Sequence, residues 1–172
     1  ISSKVGTMSV FFNFRDITYS YQNLADISDQ FNYESIIEEN ISVGLNYVIK
    51  KDKYSFDFQY ESLLGTDNQG GLLNASILFN INNDSNVILA FSDVDSSPNY
   101  NYKINHSAYS NYNWNNDLLN ISTTKYLLSF DSNNLFDFNF EFNKVSNYTF
   151  FIKDVDGVLA AVQNLNELNM FK

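Results

Sequence analysis

Cysteine is absent from the 172 residues, and histidine and proline each occur once. The lack of cysteine excludes a disulfide framework, a thiolate metal site and a cysteine nucleophile, without identifying a compartment. A zinc site needs three or four ligands, so His106 cannot build one alone and reads as a solvated loop residue. Glycine is scarce, at six residues, and no phosphate-cradling glycine loop is present; Gly70 and Gly71 read as a turn opening a strand. Basic residues are few as well. Ten Lys and Arg against 20 Asp and Glu give a formal charge of −10 and a pI near 4.3. That balance argues against nucleic-acid binding, which needs a basic footprint. It also leaves no basic run for anionic lipid. No apolar run approaches the roughly 18 residues expected of a membrane helix.

Several acidic groups fail as sites. Asp93 with Asp95, and Asp154 with Asp156 and Gly157, lack the spaced oxygen ligands and distal Glu of a calcium loop. Glu38 and Glu39 are adjacent, would point to opposite faces of a strand, and make a poor acid–base pair. With no nucleophile motif either, the chain reads as a non-enzyme with no cofactor and no metal. Asn-x-Ser/Thr triplets at Asn74, Asn120 and Asn147 are expected by chance in so Asn-rich a chain, and two lie at or beside expected strands.

What the chain has is aromatic residues, 16 Phe and 12 Tyr, set in strict alternation. Residues 54–61 put Tyr54, Phe56, Phe58 and Tyr60 on one face and Ser55, Asp57, Gln59 and Glu61 on the other. Residues 136–143 set Phe136, Phe138, Phe140 and Phe142 against Asp137, Asn139, Glu141 and Asn143. A period of two marks β-strands with unlike environments on their faces. Residues 7–16, 41–49, 72–81, 87–92, 119–130 and the stretches around 148–152 and after 158 follow the same rule, giving about eight strands. Residues 159–168 also fit a short helix, with Leu159, Val162 and Leu165 three apart, although strand is the preferred reading.

Connections alternate in length: 17–40 long, 50–53 short, 62–72 long, 82–86 short, 93–118 long, 131–134 short. Outer-membrane barrels have short periplasmic turns and long extracellular loops. The strands run about 8–10 residues, close to the 9–11 that a tilted strand needs to cross a bilayer. Polar faces rich in Asn, Ser, Asp, Gln and Glu suit a wet lumen, and a closed barrel pairs every backbone group without edges. An antiparallel sandwich with one wet side shows the same alternation. The chain starts at Ile1, and residues 165–172 read as an interrupted strand. Both features lead us to expect one segment, 1–172, of a longer barrel.

One stretch is more specific. Residues 97–117, SPNYNYKINHSAYSNYNWNND, carry Pro98-Asn99-Tyr100-Asn101-Tyr102 and then Tyr109-Ser110-Asn111-Tyr112-Asn113-Trp114. This resembles a segment between two strands in the putative porins of Bacteroidetes, with an "sPNFNf…S-x-Y-x-x-YNWqN" pattern. The preceding residues 70–92 and the following SNYTFF (146–151) are similar to that family too. The marks span 70–152, and upstream only the general style agrees. Asn115 stands where the family pattern has Gln, and the usual basic residues after the motif are missing. The resemblance implies a bacterial outer-membrane location and passive, pore-type transport, with no catalytic residues to carry over. TonB-dependent receptors have similar barrel strands, and this chain shows no plug domain.

The expectation is thus an all-β, antiparallel up-and-down transmembrane β-barrel portion that lets small hydrophilic solutes diffuse, with the lipid bilayer as its partner. Asp57, Gln59, Glu61, Asp137, Asn139 and Glu141 are the pore-lining candidates. Their carboxylates suggest a mild preference for cations. Tyr100, Tyr102, Tyr109, Tyr112 and Trp114 are loop aromatics suited to an interfacial girdle. In the alternative, a soluble or surface-attached β-sandwich that binds glycans, the same five would stack on sugars.

Overall fold

A single sheet with unlike faces has to curl if one face is to meet apolar surroundings while the other stays wet. The computed structural model describes residues 6–23, 32–64, 70–105, 113–133, 136–153 and 157–172, without the side chains of 21–23, 32–34 and 36. Its strands are β1 (Thr7–Asn23), β2 (Asn32–Lys51), β3 (Tyr54–Leu63), β4 (Gly71–Asn82) and β5 (Ser85–Ser96). A one-turn helix, α1 (Tyr100–Lys103), and two short pieces, β6 (Ile104–Asn105) and β7 (Trp114–Asn115), precede β8 (Ile121–Ser132), β9 (Phe138–Lys153) and β10 (Leu159–Phe171). Eight strands make one sheet in the order β1-β2-β3-β4-β5-β8-β9-β10, and β6 pairs with β7 apart from it. Every pairing is antiparallel. The sheet is all-β and up-and-down as expected. It is also open: β1 and β10 are its two ends.

Residues 159–168 are strand, as preferred over helix, with an irregularity between Asn164 and Glu167. Asn147, opposite that irregularity, has a left-handed φ of 57°. The stretch 17–40, expected as a long loop, is mostly strand. Ile17 to Asn23 pair with Asn32 to Glu38, so β1 and β2 run 17 and 20 residues. The sorting of the connections is nevertheless retained. Short ones at 52–53, 83–84 and 133–137 share one end of the sheet, and 24–31, 64–70, 97–120 and 154–158 share the other.

The tight-turn end is tied by local polar contacts. The Asp84 amide donates to Asn82 Oδ1 at 2.9 Å, the Asn133 amide to the Asp84 carbonyl at 3.0 Å, and the buried hydroxyls of Ser85 and Ser132 bond at 2.9 Å.

Packing settles how many layers there are. Among the described residues, Ala161 is the one buried hydrophobic, whereas Phe12 and Phe14 are 75% and 68% exposed. A soluble sandwich would bury those rings against a second sheet. Here the eight strands of the main sheet form one layer, and their apolar face points outward.

Candidate functional site

The register sorts side chains onto the two faces. One line of directly paired residues runs Met8, Tyr47, Phe58, Ala75, Phe91, Tyr126, Phe142 and Phe171 across all eight strands. The line next to it, on the opposite face, runs Ser9, Asn46, Gln59, Asn74, Ser92, Lys125 and Asn143. Pairing adds what alternation within one strand cannot: the polar residues share one height and form a belt. A groove of about 420 Å³ lies along this belt, with Asn46, Asp57, Gln59, Asn74, Ser76, Ser92 and Lys125 among its lining residues.

The polar face is the concave one. On β8, Tyr126 and Leu128 are exposed, while Lys125, Leu127 and Ser129 between and beside them are half-buried. The long connection after β5 gives a second sign. Tyr100 of α1 stacks on Tyr19 of β1 with ring centroids 4.9 Å apart, and Tyr102 stacks on Phe151 of β9 at 4.6 Å. β1 and β9 are six steps apart in the sheet. In a flat sheet six steps amount to about 29 Å, more than one helical turn and two ring contacts bridge when side chains stand upright. The sheet curls toward the face that carries Tyr19. Alternation from Asn13 places Tyr19 on the polar side.

The apolar face carries a band with aromatic borders. Its upper border is Phe14 on β1, Tyr60 on β3, Phe91, Tyr126 and Phe142, and its lower border Tyr54, Phe79, Phe130 and Phe138. Above Phe91, Tyr126 and Phe142 the same face turns to Asp93, Thr124 and Lys144. The upper border slants across the strands, whereas the lower one keeps a single register line through Val87 of β5. Phe142 of β9 lies in register with Met8 of β1, so the upper border drops from residue 14 to residue 8 along β1 over six strand steps. That is roughly 20 Å down over about 29 Å across, an inclination of about 35°. Membrane-spanning barrel strands tilt by about 35–45° between aromatic girdles.

Five of the six pore-lining candidates meet on the polar face. Asp57, Gln59 and Glu61 are on β3, and Asn139 and Glu141 are on β9. Asp57 and Glu141 stand at the same height through Ser76, Ala90 and Leu127. Asp137 precedes β9 and accepts the Ser132 amide at 3.2 Å, which places it in the tight turn. Glu141 forms a 2.8 Å ion pair with Lys125 and accepts Asn143 Nδ2 at 2.7 Å. Glu61 accepts the Ser42 hydroxyl and, at 3.1 Å, Asn13 Nδ2. Alternation alone puts Asn143 on the polar face, whereas Asn74, Ser92 and Lys125 are not assigned to it from the sequence. The signal that finds them is parity carried from strand to paired strand.

The described loop aromatics are packed against protein. Trp114 lies tilted on Phe151 at 5.9 Å and donates Nε1–H to the Asn101 carbonyl at 3.1 Å. Tyr100 and Tyr102 are stacked as above. Burial, with the Glu38 carboxylate beside it, pushes the Tyr100 phenol well above the usual tyrosine range, so it stays neutral. Tyr109, Tyr112, His106, Asp154 and Asp156 lie outside the described residues.

Compared with known proteins, residues 2–172 match the model of a family described as putative porin. No curated protein and no solved structure matches.

Proposed function

The chain belongs to the family of putative porins, and from that premise we propose that it forms part of the wall of a bacterial outer-membrane pore. The family is one of channels rather than enzymes. Small hydrophilic solutes diffuse along the concave polar face, whose Asn, Gln and Ser groups replace lost water hydrogen bonds and lower the cost of desolvation. The outward band meets lipid. The observation that carries this reading is the exposed apolar band, bordered by aromatics above and below, on a sheet whose one buried hydrophobic among the described residues is Ala161.

The open ends at β1 and β10 support a larger barrel of which 1–172 is one segment. In hydrocarbon an unpaired strand edge is costly, so further strands are needed to close the wall. Asp57 and Glu61 face the lumen, while Lys125 offsets Glu141. The expected ion preference is therefore for cations, and mild. The test is the full-length protein in planar bilayers across a salt gradient. We expect stepwise conductance with a reversal potential displaced toward the cation value. No conductance would overturn the pore, and an anion preference would overturn the carboxylate lining.

A further inference from the structure

The described parts of the connection between β5 and β8, residues 97–105 and 113–120, are tied to both sides of the curled sheet. On the β1–β2 side, the Tyr19 and Tyr100 rings lie nearly parallel, at 12°. The Tyr19 hydroxyl meets Asn101 Oδ1 at 3.4 Å, and Lys103 Nζ reaches Glu38 at 3.9 Å. On the β9–β10 side, Tyr102 stacks on Phe151. Asn116 Nδ2 donates both to the Tyr102 carbonyl and to the carbonyl of Ala161, each at 3.0 Å. The Asn116 amide also holds the Lys103 carbonyl at 2.7 Å. The turn is braced internally by Asn99, whose side chain accepts the Asn101 amide at 3.0 Å.

Its height follows from the strands. Tyr19 lies five residues beyond Phe14, roughly 17 Å further along β1 than the apolar band. The segment thus spans the concave side above the bilayer, where solutes enter or leave.

We propose that the Tyr100–Lys103 turn is a strap across the part of the channel mouth that β1 to β9 enclose, where it narrows the opening and so lowers the upper size of solutes admitted. Tyr100 and Tyr102 are the residues that hold it in place. The proposal rests on the pore reading above. Its partners on β1 and β9 are rings, and apart from the Glu38 carboxylate beside Lys103 and the Tyr100 phenol its remaining ties are neutral. Strap and wall therefore form one rigid mouth that discriminates by bulk more than by charge.

The test uses the full-length protein in planar bilayers, with uncharged polyethylene glycols of increasing size as the probes. The double variant Tyr100→Ala/Tyr102→Ala removes both stacks. It is expected to raise single-channel conductance by roughly 1.5-fold or more and to admit larger polymers. Tyr100→Phe/Tyr102→Phe keeps the rings and should match the parent, which a general loosening of the barrel would not produce. If the alanine variant fails to insert, Asn116→Ala, which cuts only the ties to Tyr102 and Ala161, serves instead with the same expected direction. A parent that conducts, with unchanged conductance and polymer cut-off in the released variants, overturns the strap and leaves the pore standing. A parent that does not conduct overturns both.

Discussion

Single residues on the polar face show how closely the wall is built. Gly44 pairs with Phe11, whose ring lies so close that a Cβ at Gly44 would collide with Phe11 Cζ. The ring fills the space a side chain would take on β2, so the two are complementary. Gly44→Val should therefore cost about 1–3 kcal/mol by overpacking. Urea unfolding from lipid vesicles measures this, and the cost should shrink in a Phe11→Ala background. The Lys125–Glu141 pair makes the opposite kind of point, since charge rather than volume is at stake. Lys125→Gln should move the reversal potential further toward cations, and Glu141→Gln should move it back, by exposing one member of the pair at a time. Glu141 was legible as a lumen candidate from the alternation of residues 136–143. Its partner was not, because Lys125 stands among Thr123, Thr124, Tyr126 and Leu127, where composition gives no sign of which way it points. Only its pairing with Asn143 and Ser92 does so.

At the scale of elements, strands were legible where two environments act on them and illegible where only one does. Residues 54–61 turn an apolar face outward and a polar face to the concave side, and their period of two is unbroken. Beyond Phe14 and Ile41, the hairpin of β1 and β2 carries Asp16 with Glu39, Thr18 with Ile37 and Ser20 with Ser35. Both sides are then wet, the alternation fades, and a strand looks like a loop. The same contrast yields a test on adjacent residues of β5. Leu89 lies in the middle of the outward band and is 50% exposed, whereas Ala90 faces the polar groove. Leu89→Arg should destabilise insertion by about 2–4 kcal/mol, as expected near a bilayer midplane. Ala90→Arg should leave folding in vesicles nearly unchanged while lowering conductance. Equal costs at the two positions would remove the assignment of faces.

For the whole molecule, the class of fold was legible because each strand of the main sheet repeats one rule over at least part of its length, and the sorting of the connections gave the ends. Curvature and slant were not legible. Both depend on register between strands, which no single segment encodes. The strap was beyond reach for a related reason, since its partners Tyr19, Glu38 and Phe151 are far away in sequence and neutral in composition. One feature of the topology bears on how such a wall comes into being. Spatial order equals chain order, so each strand of the sheet has as neighbours the strands made just before and just after it. Assembly can proceed hairpin by hairpin, with loop-closure entropy met in small instalments, even across the 97–120 excursion. At every stage the newest strand is the sticky edge. The vulnerable moment in the life of this protein is thus its growth, when that edge is bare, and a chaperone or insertion machine that guards one strand at a time would suffice.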